Sequence, residues 1–191
     1  MSEIEIGRGK RGNRSWAFDD VAVVPSRRTR DPRDVSTTWH IDAYTFDLPV
    51  LAAPMDSVVS PDTAIAIGKL GGLGVLDLEG LWTRYEDPTA QLAEISKLSP
   101  EEATAAMQRI YAEPIKPELI KERLSYIRKS GVTVAGALSP QNTQNFAKTV
   151  IAAGVDLFVI RGTTVSAEHV SKTKEALNLK EFIYELDVPV I

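Results

Sequence analysis

The residues of this chain best placed to do chemistry fall just past short apolar runs. Ala53-Pro54-Met55-Asp56-Ser57 follows Pro49-Val50-Leu51-Ala52 and precedes Ser60-Pro61-Asp62. The run has the length of a strand buried on both faces. Ser60-Pro61 reads as a helix start, because Ser can cap free N–H groups while Pro occupies the first turn without losing a bond. A strand feeding a helix through a tight loop is the repeating unit of parallel α/β folds. Their ligands bind at the carboxyl ends of the strands, where Met55, Asp56 and Ser57 fall. Three further runs end in polar or small residues: Glu79-Gly80, Ser139 and Arg161-Gly162-Thr163. Loops that all contribute to one rim are how a barrel builds a site.

Other chemistry-bearing residues rank lower. The chain has no cysteine, which excludes disulfides, thiolate metal sites and a cysteine nucleophile for the residues present. His169 falls in the first turn of an expected helix with no acidic or nucleophilic partner at usable spacing, and reads as a surface histidine, as does His40 beside Trp39. Trp16, Trp39 and Trp82 read as packing groups. Asp19 and Asp20 lack the second carboxylate or His pair that a metal site needs. Arg84 and Tyr85, just past the second apolar run, are candidates to face a substrate.

The elements that must position these residues follow from apolar periodicity. Strand-like runs at 50–53, 73–78, 132–137, 157–160 and 188–191 alternate with helical patterns, giving the order β-α-β-α-β-α-β-α-β. The first helix carries Ala64, Ile65, Ile67 and Leu70 inward and stops at Gly71-Gly72. Asp87-Pro88 starts another, and Ser99-Pro100-Glu101-Glu102 reads as a capping box. After Pro114 and Pro117, the stripe Leu119, Ile120, Leu124, Ile127 resumes. Ser139-Pro140 opens a helix with Phe146, Val150 and Ile151 inward and Gly154 as its stop; Ser166 caps the next, with Val170 and Leu177 inward. Strands this apolar belong in a parallel sheet covered on its faces, either an open doubly wound sheet or a (β/α) barrel. The glycine run Gly68-Lys69-Leu70-Gly71-Gly72-Leu73-Gly74 lies between a helix and the next strand, the reverse of a dinucleotide fingerprint, so the barrel is favoured. A full barrel takes about 250 residues and eight units; here about four and a half are legible, and Asp187-Val188-Pro189-Val190-Ile191 reads as the opening of a further strand.

Composition sets outer bounds. At 191 residues, 43% apolar and 25% charged, the chain is an ordinary globular one with its own core. Its net charge of −4 argues against nucleic-acid binding. The basic cluster of the first 34 residues (Arg8, Lys10, Arg11, Arg14, Arg27, Arg28, Arg30, Arg33) is interspersed with acids and reads as a solvated arm or a subunit contact. Apolar stretches stop well short of the roughly 20 residues a bilayer requires, and the amino terminus has no apolar leader-like core. No membrane partner and a cytoplasmic location are therefore expected.

Several ordered motifs carry a resemblance. Phe18-Asp19-Asp20-Val21, the stretch from Pro49 to Val58, Leu70-Gly71-Gly72-Leu73-Gly74-Val75-Leu76, the stretch from Ala152 to Ile160 and the closing 187–191 together resemble the amino-terminal half of the IMP dehydrogenase / GMP reductase family. Glu5-Ile6-Gly7-Arg8-Gly9-Lys10, the stretch from Leu76 to Glu86, and Val165-Ser166-Ala167-Glu168-His169-Val170 are similar to the family's CBS-less actinobacterial branch. Too few residues separate Leu78 from Val132 to hold the paired CBS modules that typical members insert there, so allosteric control through them is not expected.

The resemblance implies an α/β fold, the first half of a TIM (β/α)8 barrel over 48–191, behind an arm and lead-in at 1–47. It implies a purine nucleotide oxidoreductase passing hydride between C2 of the base and NAD or NADP. IMP, XMP or GMP would be the substrate or product, and potassium and a homotetramer belong to the complete protein. It carries nucleotide contacts to Ala53, Met55 and Asp56, with Ser57 beside them, and cofactor contacts to Arg161, Gly162 and Thr163. Arg161 stands where typical members place an aspartate against the nicotinamide half, a change from anion to cation that would suit a phosphate or a different cofactor pose. The family's cysteine loop, its potassium site and its phosphate-gripping loops lie in the carboxy-terminal half, so no catalytic residue is expected in this chain and it should not be active alone. Two alternatives stay open: a flavin-dependent barrel oxidoreductase, since Ala-Pro-Met after the first strand also occurs there, and a non-catalytic nucleotide-binding relative.

Overall fold

A computed structural model describes residues 3–13, 15–25, 27–162 and 177–191. The chain divides into two compact units, Met1–Ser36 and Thr37–Ile191. In the first, β1 (Glu3–Gly7) and β2 (Lys10–Asn13) pair antiparallel, and single 3-10 turns form at Phe18–Asp20 and Pro32–Asp34. None of its described residues is buried, Phe18 being 94% exposed.

The second unit opens with an antiparallel hairpin, β3 (Trp39–Ile41) and β4 (Tyr44–Phe46). There follow β5 (Leu51–Ala52), α1 (Pro61–Lys69), β6 (Leu73–Asp77), α2 (Thr89–Ile95), α3 (Pro100–Ile110), α4 (Pro117–Lys129), β7 (Ala135–Leu138), α5 (Pro140–Ala152), β8 (Leu157–Ile160) and α6 (Leu179–Tyr184). The four strands β5 to β8 lie parallel in chain order. Beyond β8, Val190 bridges Phe158 in parallel, and the N–H groups of Phe158 and Ile160 donate to Pro189 and Ile191 at 2.9 Å each. The last residues thus occupy a fifth sheet position. Parallel strands in sequential order with helical crossovers are the first half of a (β/α)8 barrel.

Strand alternation sorts side chains to two faces. Leu76, Leu78, Leu138 and Phe158 pack with Val59, Ala64, Ile120, Leu124, Ile127, Ala147 and Val150 against the helices. Leu73, Val75, Ala135, Ala137 and Leu157 face the other way and bury Phe46, with Trp39, Ile41 and Tyr44 beside it. The β3–β4 hairpin, placed by the sequence in the lead-in, therefore packs on the sheet's inner face. Trp39 stacks on Phe46 at 4.8 Å and its indole N–H donates to the Leu48 carbonyl at 2.7 Å.

Helix α4 buries the four residues its period predicts, Leu119, Ile120, Leu124 and Ile127. Two expectations differ. Leu70 is 73% exposed because α1 ends there, and Gly71, at φ +89°, turns the chain out of the helix and into β6. In α5 the buried stripe is Thr143, Ala147 and Val150, with Phe146 and Ile151 at its margins. α1 approaches β6 so closely that a Cβ on Gly74 would meet the Ala64 Cα at 2.5 Å. The helix expected from Ser166, with His169 and Val170, lies outside the described residues.

Candidate functional site

The carboxyl ends of β5 to β8 share one rim, and the loop after β5 is fixed there by its own carboxylate. Both Asp56 oxygens accept the Leu81 N–H, at 2.9 and 3.1 Å, and the Tyr111 hydroxyl donates to Oδ2 at 2.6 Å. A side chain at Gly80 would overlap this carboxylate, so the turn after β6 can approach only with glycine there. Within the loop the Met55 N–H donates to Ala53, and the N–H groups of Val58 and Val59 donate to Met55, all within 2.9 Å. Burial of Val59 anchors its far end. The outcome is an alternation: Ala53, Met55 and Ser57 are exposed, whereas Pro54 and Asp56 are half-buried. Asp56, expected to meet the nucleotide, has its acceptors engaged in holding the loop.

Arg161 is partly exposed yet anchored at two points. Its Nη2 pairs with Asp77 Oδ2 at 2.9 Å and its Nη1 donates to the Pro54 carbonyl at 2.7 Å. Asp77, the last residue of β6, is 7% exposed and also accepts the Glu79 N–H at 3.0 Å. Burial pushes its carboxyl above the usual aspartate value, with the Glu79 N–H and the Arg161 guanidinium opposing. Gly162 is exposed beside it, and Thr163 lies outside the described residues.

The turn after β6 ties the remaining parts together. Glu79 accepts from the Ser139 N–H and from Asn142 Nδ2 (2.8 Å), so a carboxylate sits over the first turn of α5. Arg84 and Tyr85, candidates to face a substrate, are instead engaged with the end of α3 and the turn after it. Arg84 donates to the carbonyls of Glu79 (2.8 Å), Tyr111 (2.9 Å) and Glu113, and the Tyr85 hydroxyl donates to Ile110 at 2.7 Å. Tyr111 is thereby held against Asp56; burial first, and the carboxylate second, push its phenol well above the usual range. Sequence reasoning missed Asp77 and Tyr111. Asp77 left a signal, a charge inside the otherwise apolar run 73–78, but Tyr111 left none. Elsewhere, His40 Nδ1 lies 3.0 Å from Thr45 Oγ1, Arg123 donates to the Trp82 carbonyl at 3.1 Å and its guanidinium lies 6.0 Å from that ring, and Asp20 accepts the Ala17 N–H. Among the described residues no group of three or more His, Asp and Glu could hold a metal ion.

Comparison with known proteins bears on the family of the chain. The family model for the IMP dehydrogenase / GMP reductase domain matches residues 15–188. Uncharacterized oxidoreductases of Mycolicibacterium smegmatis and Mycobacterium tuberculosis are each 49% identical to the chain over 98% of its length, and the match covers 52% of theirs. An inosine-5'-monophosphate dehydrogenase of Methanocaldococcus jannaschii is 35% identical over 63 residues, 33% of this chain and 13% of that one. The crystal structure of an IMP dehydrogenase/GMP reductase-like protein from Corynebacterium glutamicum superposes with a TM-score of 0.86 at 48% identity, covering 98% of this chain and 50% of that one. The chain thus spans about half the length of the most similar of these relatives. With the matched domain running from the arm to the last strand, the chain belongs to the IMP dehydrogenase / GMP reductase family.

Proposed function

We propose that the protein is a purine nucleotide oxidoreductase, IMP dehydrogenase-like or GMP reductase-like, moving hydride between the purine C2 and a nicotinamide cofactor. One observation carries the reading: in a chain of this family, Ala53, Met55 and Ser57 stand exposed on the rim of the half-barrel, on a loop tied down at Pro54, Asp56 and Val59. A loop fixed in advance binds without a further ordering cost, which is how positioning lowers a barrier. Ala53 and Met55 contact the base and ribose of IMP, XMP or GMP, Ser57 offers a hydroxyl beside them, and Asp56 acts through the loop.

The end of β8 suits NAD or NADP. The Arg161 guanidinium has five N–H donors, of which two are engaged among the described residues, and its side chain is 42% exposed. Its free edge can donate to a phosphate or carboxamide oxygen, while Gly162 leaves room alongside, and Thr163 is assigned to the same group of contacts. When bound, the nicotinamide supplies the hydride acceptor or donor. The residues of this chain bind and orient. The nucleophile, and with it a potassium site, falls to the part of the relatives' length this chain does not span, since it contains no cysteine. No helix among the described residues is long and apolar enough to cross a membrane.

The test is turnover by a protein that carries this segment and spans the full length of its relatives, given IMP with NAD and, separately, GMP with NADPH. Change in reduced-nicotinamide absorbance with one pair is expected; a folded protein silent with both would refute the reading.

A further inference from the structure

We infer that Arg161 is a positioning residue for the nucleotide, a brace that reaches from the end of β8 across Asp77 of β6 to the Pro54 carbonyl and so fixes the loop bearing Ala53 and Met55. The inference rests on the proposed nucleotide site and deepens it. Three observations on different strands support it. Arg161 stands one residue past β8, on the alternation that carries Leu157 and Val159 to the inner face, and its guanidinium spans two acceptors with two different nitrogens. The Asp77 carboxylate, nearly buried, accepts the Glu79 N–H with one oxygen and Arg161 with the other, so the middle of the brace is itself held from both sides. The far end is a backbone carbonyl between the two exposed residues assigned to the nucleotide, on a segment whose backbone hydrogen bonds at Met55, Val58 and Val59 are local and whose other outside anchor is the Asp56 carboxylate.

The groups facing the guanidinium set what it can do. Asp77 and the Pro54 carbonyl are its partners. Asp56 and Glu79, the other carboxylates near Asp77, are engaged with Leu81 and Tyr111 and with Ser139 and Asn142 respectively. Among the described residues no other arginine or lysine reaches Asp77 or Pro54, so loss of Arg161 frees the loop at Pro54 and leaves Asp77 held, of these partners, by the Glu79 N–H. A lysine cannot replace it: a single ammonium can satisfy Asp77 as a point charge but lacks the planar fork that reaches a second acceptor in a fixed direction.

Two measurements on Arg161→Ala and Arg161→Lys decide the matter. The first is amide hydrogen exchange across Met55–Val59 without ligand, which reads the loop directly. In Arg161→Ala exchange there should quicken at least tenfold while the amides of α4, remote from the brace, keep their protection. In Arg161→Lys it should stay quick even if the melting temperature recovers. The second is binding of IMP and GMP in the absence of cofactor, in a protein of the relatives' full length. A loosened loop should raise the nucleotide Kd about tenfold in both variants, a loss of ~1.4 kcal/mol. Unchanged exchange at Met55–Val59 would overturn the brace. So would a uniform rise in exchange across the unit, since that marks general destabilisation, and so would quickened exchange with unchanged nucleotide affinity, since the loop's order would then not serve binding. If the unaltered protein bound neither nucleotide, the proposed function would fail on that count, and the exchange comparison would still decide the brace.

Discussion

Asp56 gives the sharpest prediction, because its carboxylate joins the loop after β5, the turn after β6 and the residue that follows α3. Asp56→Ala removes the acceptor of the Leu81 N–H and of the Tyr111 hydroxyl. Leu81 is fully buried, so its N–H has little access to replacement water. Hydrogen bonds to charged groups contribute about 1.5–3 kcal/mol each, and these are only partly shielded, so the lower half of that range applies and the sum is about 3 kcal/mol. Tyr111→Phe removes one of the two and should cost about 1.5 kcal/mol. In the Asp56→Ala background the same change should cost almost nothing, leaving a coupling of about 1–1.5 kcal/mol. Urea unfolding followed by tryptophan fluorescence measures all four corners of the cycle, with Trp82 one residue past Leu81 as a local reporter. An Asp56→Ala variant within about 0.5 kcal/mol of the parent, or strictly additive single changes, would refute the strut.

Three other outcomes are expected. The Asp77 carboxyl should titrate above 3.8 by carboxyl carbon NMR, burial being the main cause, and higher still in Arg161→Ala; a midpoint at or below 3.8 contradicts its burial. The sign for stability follows, because the folded state holds this proton more tightly. The contribution is complete below the unfolded value and is lost as pH rises through the folded one. Gly74→Ala would place its Cβ 2.5 Å from the Ala64 Cα, forcing α1 from β6, with a loss of about 1–3 kcal/mol; a melting temperature equal to the parent's is the adverse result. Phe46→Ala should cost about 3 kcal/mol by emptying the contact between the hairpin and the inner face of the sheet, and a loss below about 1 kcal/mol would mean that the hairpin is not part of that core.

The sheet was legible because its signals are local. Apolar runs bounded by Ser-Pro and Gly-Gly report burial on both faces, helix starts and helix stops, and α1, α3 and α5 begin at the prolines that mark them. The β3–β4 hairpin escaped notice because each strand is three residues long and Trp39, Ile41, Tyr44 and Phe46 read alone as an ordinary mixed segment; only the inner face of the sheet gives them a partner. The position of the rim was legible for the same reason as the strands. The roles of its residues were not. Asp56 and Arg161 could be picked out as charges past strand ends, but their partners, Tyr111 and Asp77, come from residues 55 and 84 positions away, and no periodicity encodes such a meeting. Arg84 and Tyr85 show the converse: adjacent to a strand end in sequence, they are committed to the carbonyls at the end of α3.

A crystal structure of a protein containing this segment, with IMP or GMP bound, tests the central claim most directly. The nucleotide should lie at the carboxyl ends of the strands with Ala53 and Met55 in van der Waals contact with its base or ribose, the Asp56–Tyr111 and Arg161–Pro54 hydrogen bonds still formed beneath. A nucleotide seated away from the loop after β5, or a complex in which Ala53 and Met55 touch nothing, would contradict the account.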